Sequence, residues 1–459
     1  MEFLCVPPRL CGQPRTDNSQ LVTRKLMKAL RPLRHRDFRL LIGGQTISWV
    51  GNNFYEIAIM WLVLRSTGST AAMAGVAAVS VIPQLIFAPL AGVVADRVNR
   101  RFLALSMDLC RGVVILALPT LAVLHHLAIW QVYITAFVMF TLFTFFIPTR
   151  QAILPNIVPD DELPAANALF QMVLSGSLFV GFALGGLVVA WVGVVPALYL
   201  DSISFAGSVL SLLFMRSSGR SAMVAERTGA VKEAIAGLRF VASVPSLLAI
   251  FAFLAVTGFF IGPLLILSAP FSEMILHAGA RGYGFLEAGL MLGTLIGALL
   301  AGIFGTFHRV GALLIVLVGI AGVLLMGMSY MTVLLAAIAF YLAIGVLSGT
   351  LNVPLTTLMQ RLTPDAMRGR VMSTMMIVNT AGTPLSLAVG GIVAQRIGVP
   401  AMYRVEGVLL LATAAVFAFT PLVRVVALPP PSDARGDRNP VAPLRDGSTP
   451  RVTEEPAIA

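Results

Sequence analysis

Gly92-Val93-Val94-Ala95-Asp96-Arg97-Val98-Asn99-Arg100-Arg101 separates two apolar runs, 71–94 and 102–124, each long enough to cross a bilayer as a helix. The polar stretch between them is therefore a short turn outside the hydrocarbon. Its glycine lets helices approach, its aspartate can bind a neighbouring helix amino terminus, and its arginines hold one membrane face. The composition agrees: 58% of the 459 residues are hydrophobic and only 12% are charged. Soluble domains run at roughly 45–50% and about 25%. With a mean hydropathy of +0.89, a soluble fold is excluded.

Working outward, further spans are expected near 39–64, 128–148, 164–189, 195–215, 246–268, 282–305, 311–328, 332–355, 371–394 and 402–424. Twelve spans place both termini on one face. Of the 32 Lys and Arg, about 27 fall on that face, and Arg65, Arg281, Arg396 and Arg404 fall opposite. The positive-inside rule makes the rich face cytoplasmic, so an inner-membrane, multi-pass protein with both termini inside is expected. The net charge of +11 thus reflects loops between spans, and no nucleic acid partner is expected.

Residues 1–37 form a basic tail without the apolar core of a signal peptide. Met27 opens a second basic stretch, so residues 1–26 are read as an overextended start or a disordered tail. Cys5, Cys11 and Cys110 have no paired spacing, and no metal or disulfide framework is expected. Residues 216–245 read as a cytoplasmic linker, in which Val231, Ala234, Ile235, Leu238 and Val241 repeat at helical spacing as in a surface-lying helix. The tail 425–459, after Pro429, Pro430 and Pro431, reads as disordered.

The linker divides the chain into 38–215 and 246–424, and these resemble each other at an offset of about 205. Gly185, Gly186, Gly193 and Val194 recur as Gly390, Gly391, Gly398 and Val399, and Pro148 and Pro159 recur as Pro354 and Pro364. The expected fold class is an all-α membrane protein of two pseudo-symmetric six-helix bundles. Parallel repeats of this kind place a cavity between the halves near the midplane.

The turn at 92–101 resembles the signature loop of the major facilitator superfamily: a glycine, three residues, Asp-Arg, one residue, then Gly-Arg-Arg. Asn99 replaces the second glycine, a tolerable change if that position takes left-handed backbone angles. The resemblance implies an inner gate of Gly92, Asp96, Arg97, Arg100 and Arg101, with Asp96 latching the end of the eleventh span at Arg368-Gly369-Arg370. The equivalent loop after span 8, Gly305-Thr306-Phe307-His308-Arg309, lacks the aspartate.

Phe38-Arg39-Leu40-Leu41, Gln45-Thr46-Ile47-Ser48, Gly51, Ser66-Thr67-Gly68-Ser69, and Pro148 to Pro159 followed by Leu163 and Ala166-Asn167 are similar to the enterobactin-exporter and macrolide-efflux branch. That similarity covers about 38–424 and implies proton-driven export of a small molecule. Such exporters commonly carry an aspartate just after the glycine of span 1, where this chain has Asn52 and Asn53.

Charges within spans cost roughly 2.5–3.5 kcal/mol each at a helix centre and face a cavity or a partner. Asp108 and Arg111, three apart on one helix, suit a local ion pair, read either as structural neutralisation or as a charge relay. Glu56, one helical turn beyond Asn52, faces the same side and is the expected proton carrier. Glu287 reads as either a helix-end charge or a functional one. Asp201 and Glu406 match in the repeat and read as shared structure. Glycines four apart, at 289, 293 and 297 and at 181 and 185, suit close helix packing.

No glycine-lysine-threonine nucleotide loop is present, so a proton gradient is the expected energy source. The expected partners are protons, a bulky amphipathic substrate such as a drug, macrolide or siderophore, and the lipid bilayer. A monomer without cofactor is expected. Uptake or lipid translocation is the alternative within transport. An enzyme is not expected, because His35, His125, His126, His277 and His308 are scattered and no catalytic cluster appears.

Overall fold

The computed structural model describes residues 30–216, 230–304 and 310–419. The two tails, except for residues 30–37, therefore lie outside the described residues, as do 217–229 of the linker and the loop 305–309. A 3-10 turn, Arg31–Arg34, leads into six helices: α1 Arg36–Thr67, α2 Thr70–Arg97, α3 Arg100–Val123, α4 Ile129–Ile153, α5 Leu163–Val192 and α6 Val194–Phe214. After the linker helix α7, Ala230–Ser243, come α8 Pro245–Ile261, α9 Leu264–Met274, α10 Gly279–Phe304, α11 Val310–Met328, α12 Leu334–Leu362, α13 Asp365–Ile397 and α14 Val399–Phe419.

Eleven spans among the described residues are long and apolar enough to cross a membrane. The twelfth is α1, whose 32 residues reach about 48 Å at 1.5 Å per residue. Its hydropathy is lowered by Gln45, Ser48 and Asn53, which are buried and so do not face lipid. The seventh span is not one rod, as 246–268 suggested. It breaks between α8 and α9 at Gly262 and Pro263, where proline removes a backbone donor and obstructs the preceding turn.

Helix ends follow local chemistry. The Ser69 side chain accepts from Ala72 N–H at the start of α2, just after Gly68 at φ 63°. Gly193 and Gly398, at φ 95° and 85°, make the same turn before α6 and α14. These two positive φ values are why the repeat keeps glycine there.

Within the first bundle, α1 packs on α5 and α6, α2 on α4, and α3 on α6 and α4. In the second, α10 packs on α12 and α11 on α14. Glycine allows the closest of these approaches: a Cβ at Gly293 would meet Leu342 O, one at Gly349 would meet Thr294 O, and one at Gly181 would lie 2.7 Å from Asn53 Nδ2. Between bundles, α5 meets α10 and α2 meets α13, equivalent pairs under the repeat.

Both inter-bundle contacts sit at the end opposite the face where α1 begins and α14 ends. A Cβ on Gly186 would lie 2.7 Å from Gly284 Cα and 2.9 Å from Ala280 O, and one on Gly391 would strike Ala74 Cβ. Thr70 N–H donates to Gln395 Oε1 at 2.7 Å, and the Thr70 hydroxyl donates to Gly391 O at 3.0 Å and to Gln395 Oε1 at 3.1 Å. Arg65 pairs with Glu273 at 3.0 Å, joining α1 to α9.

Toward the other face the same helix surfaces come apart. Along α2 the stripe passes from buried Ala74 and Ala78 to exposed Leu85, and along α13 from buried Gly391 and Leu387 to exposed Met376. The molecule is closed at one end and open at the end where α1 begins and α14 ends. The linker helix α7 lies at the open end against α13, where a Cβ on Gly237 would strike Thr374 Oγ1. Val241 is buried and Ile235 and Leu238 are exposed.

Candidate functional site

Between the bundles lies a cavity of about 480 Å³. Most of its wall comes from α1, α2, α4 and α5; the second bundle contributes Leu265, Thr383 and Leu387. Aliphatic and aromatic side chains such as Ile59, Val76, Phe140, Phe143 and Leu178 dominate. The charged side chains in the wall are Glu56, Arg111 and Arg150, with Asn52, Asn53 and Ser80 beside them.

Three helices of the first bundle knit a buried network behind that wall. Asp108 and Arg111 on α3 are both buried, with Arg111 Nη1 3.7 Å from Asp108 Oδ1. Arg111 Nη2 donates to Asn52 Oδ1 at 2.8 Å, and the guanidinium stacks on Phe205 and Phe143 at 4.5 and 5.2 Å from their centroids. Ser208 of α6 donates to Asp108 Oδ2 at 2.6 Å, and Gln45 of α1 donates to Ser208 at 3.2 Å. Asp201, buried on α6, is within electrostatic reach of Arg111. Gly51 opposes it, where a Cβ would lie 2.8 Å from Asp201 Oδ1.

The expected site residues divide accordingly. Asn52 and Glu56 share the cavity, and Asp108 and Arg111 form the local pair. Asn53 reaches the cavity edge but is buried, its Nδ2 donating to Trp49 O at 2.7 Å and to Ser177 O at 3.5 Å. It joins α1 to α5. The helix-end reading of Glu287 is corrected: it is buried inside the second bundle, accepts from Ser268 at 2.6 Å, and does not line the cavity. Near it Tyr341 and Tyr403 share a 2.8 Å hydroxyl bond. Glu406 is buried on α14, and neither of its oxygens has a hydrogen-bond partner among the described residues.

The turn at 92–101 also corrects two expectations. Asn99 is not left-handed; at φ −57° it caps α3, its side chain accepting from the N–H groups of Arg101 and Phe102. Gly92 makes no close helix approach, since a Cβ there meets nothing within 4 Å; the bundles have already parted at this end. Arg100 donates to Ala152 O at 3.0 Å, and Arg101 donates to Leu212 O and Leu213 O at 2.8 and 2.6 Å. Both cations therefore sit on the last carbonyls of α4 and α6, the ends that attract positive charge. Arg97 is exposed and Asp96 half-buried. At the start of α13, Arg368 pairs with Asp365 at 2.6 Å.

Sequence reading missed Arg150. The fourth span was expected to end at 148, but α4 runs on to Ile153, which carries Arg150 into the cavity wall. A single cation at a span boundary reads as an ordinary loop charge. Gln45, Ser208 and the Tyr341–Tyr403 pair were missed because their partners lie far apart in sequence. Among the described residues no group of three or more His, Cys, Asp or Glu side chains could hold a metal ion.

Two repeat-related six-helix bundles around a central cavity, with the Asp96 turn after the second span, define a transporter of the major facilitator superfamily. The chain belongs to its transmembrane secretion effector family, MFS_3, whose model matches residues 27–442. It is similar to the multidrug efflux pump Tap of Mycolicibacterium fortuitum, 26% identical over 402 residues, covering 85% of this chain and 97% of Tap. It is also similar to macrolide efflux protein A of Streptococcus pyogenes, 24% identical over 396 residues, covering 83% and 94%. The fold matches a mutant form of the nucleoside transporter NupG with a TM-score of 0.70 at 12% identity, covering 83% and 98%. A bacterial ferroportin homologue in an inward-facing state matches with a TM-score of 0.69 at 13% identity, covering 84% and 98%.

Proposed function

We propose that this protein exports a bulky amphipathic compound, of the drug, macrolide or siderophore kind, in exchange for protons. The observation that carries this reading is the cavity: apolar over most of its wall, with one carboxylate, Glu56, beside Asn52 and the Arg111 network. The efflux pumps named above support the direction of transport. With the basic loops on the cytoplasmic side, the open end faces the cytoplasm, where an exporter loads.

In this reading Glu56 carries the proton, and Asp108 with Arg111 relays the change in its charge to α1 through Asn52. The halves 38–215 and 246–424, joined by 216–245, rock about the closed end. The open end then shuts, with Asp96, Arg97, Arg100 and Arg101 forming the gate against α13.

Everted membrane vesicles with an imposed pH gradient test the reading. Accumulation of a macrolide, a siderophore or a lipophilic dye should require the gradient, and Glu56→Gln should abolish that requirement or the flux itself. Accumulation indifferent to the gradient would refute proton exchange. Intact coupled flux in Glu56→Gln would remove Glu56 from its role.

A further inference from the structure

Two arginines line the cavity, and their surroundings differ. Arg111 is engaged by Asp108 and Asn52 and is within reach of Asp201. Arg150 has no carboxylate and no hydrogen-bond acceptor among the described residues. Its guanidinium carbon sits in the corner made by Trp49 of α1 and Phe170 of α5, 5.1 and 4.6 Å from ring centroids whose planes meet at 83°. Both rings lie on one side of the guanidinium and restrict it, while its N–H donors find no acceptor among the described residues.

Arg150 stands in the last turn of α4, half-buried in the cavity wall, and carries its charge there without a counter-charge among the described residues. An arginine presents parallel donors that suit the two oxygens of a carboxylate, sulfonate or phosphate. Because the two ring contacts already restrict the side chain, less freedom is lost on binding. The rest of the wall around it, including Ile147, Leu174 and Phe143, is apolar. The acid in the wall, Glu56, forms no ion pair with Arg150 among the described residues.

We infer that Arg150 is the anchor for an anionic group on the compound that fills this cavity, so that the cargo is an amphipathic acid or zwitterion. The inference rests on the cavity being the cargo site, as in the export reading, and narrows the class of cargo.

The test uses tetramethylrhodamine with a free carboxylate and its methyl ester, two dyes that differ at one group. Binding to the full-length purified protein is followed by fluorescence anisotropy. The acid should bind at least about tenfold more tightly than the ester, the size expected for a charge-assisted hydrogen bond. Arg150→Met should bring the ratio to about one, and Arg150→Lys, which keeps the charge but loses the forked donors, should retain part of it.

A wild-type ratio near one, or a preference for the ester, overturns the inference even if Arg150→Met cannot be recovered folded. A preference that survives in Arg150→Met overturns it as well. Titrations in nanodiscs of phosphatidylcholine and of phosphatidylglycerol separate two sources of the anion. A ratio unchanged by the anionic lipid assigns the site to a soluble cargo, and a ratio lost in it assigns the site to a lipid headgroup. Both outcomes keep Arg150 as the anchor. Binding preference without flux of either dye in everted vesicles would retain the anion site while refuting the export reading.

Discussion

The two bundles share one buried acid position and surround their acids differently. Asp201 and Glu406 stand at the same position relative to the repeat-related Val194 and Val399. In the first bundle Asp108 pairs with Arg111 and Asp201 lies within electrostatic reach of it, and Ser208, Gln45 and Asn52 extend the network, which still leaves Asp108 Oδ1, Arg111 Nε and Asp201 Oδ2 without a hydrogen-bond partner among the described residues. In the second, Glu287 and Glu406 are buried with Ser268, Tyr341 and Tyr403 and with no buried arginine or lysine among the described residues. A duplicated scaffold has thus kept its backbone and divided its chemistry: one half holds a compensated ion network at the cavity, the other holds carboxyl groups without a cation.

The contrast is broken most severely by removing the cation. Arg111→Met leaves Asp108 and Asp201 buried without their counter-charge and should cost about 3–5 kcal/mol, read as a lowered unfolding midpoint of the purified protein. A loss under about 1 kcal/mol would mean the network is not a unit.

Glu406→Leu should act in the opposite sense. It removes two buried oxygens that have no partner among the described residues, so stability should rise, by about 1–3 kcal/mol. A fall of that size would show that Glu406 has a partner in the working protein, and the asymmetry between the bundles would be smaller than described.

The closed end is also unequal. The α5–α10 contact is glycine on glycine, whereas α2–α13 adds the Thr70 hydrogen bonds. Thr70→Val keeps the backbone bond and loses the hydroxyl, shifting the opening equilibrium by about 1 kcal/mol. Labelling of a cysteine placed at Ala71 by an impermeant maleimide should rise about fivefold. Unchanged labelling would leave the glycine contact as the main closure. The smallest effect belongs to the turn: Asn99→Ala should cost about 0.5–1 kcal/mol through loss of the cap, with Asn99→Ser restoring it.

The bundles were legible because hydrocarbon thickness and helical rise leave few other uses for apolar runs of that length. The repeat was legible because Gly193 and Gly398 take backbone angles that other residues avoid. The break at Gly262 and Pro263 was not legible, since both residues sit within a run that stays apolar throughout. At the site, Glu56, Asn52, Asp108 and Arg111 were readable as charges or amides set where lipid forbids them. Arg150 was not, because its value depends on Trp49 and Phe170, residues about 100 and 20 positions away in the chain that only packing brings to it. Glu287 was ambiguous because one helix turn decides whether a carboxylate reaches the surface or Ser268. Asn99 was read for its backbone when its side chain is what the position uses.

The break in the seventh span has a mechanical sense. The lower piece, α8, packs with α13 and α14 of its own bundle, while the upper piece, α9, also touches α1 and α2 of the other and carries Glu273 to Arg65. Jointed at Gly262 and Pro263, this span keeps its lower piece within one bundle and sets its upper piece against both.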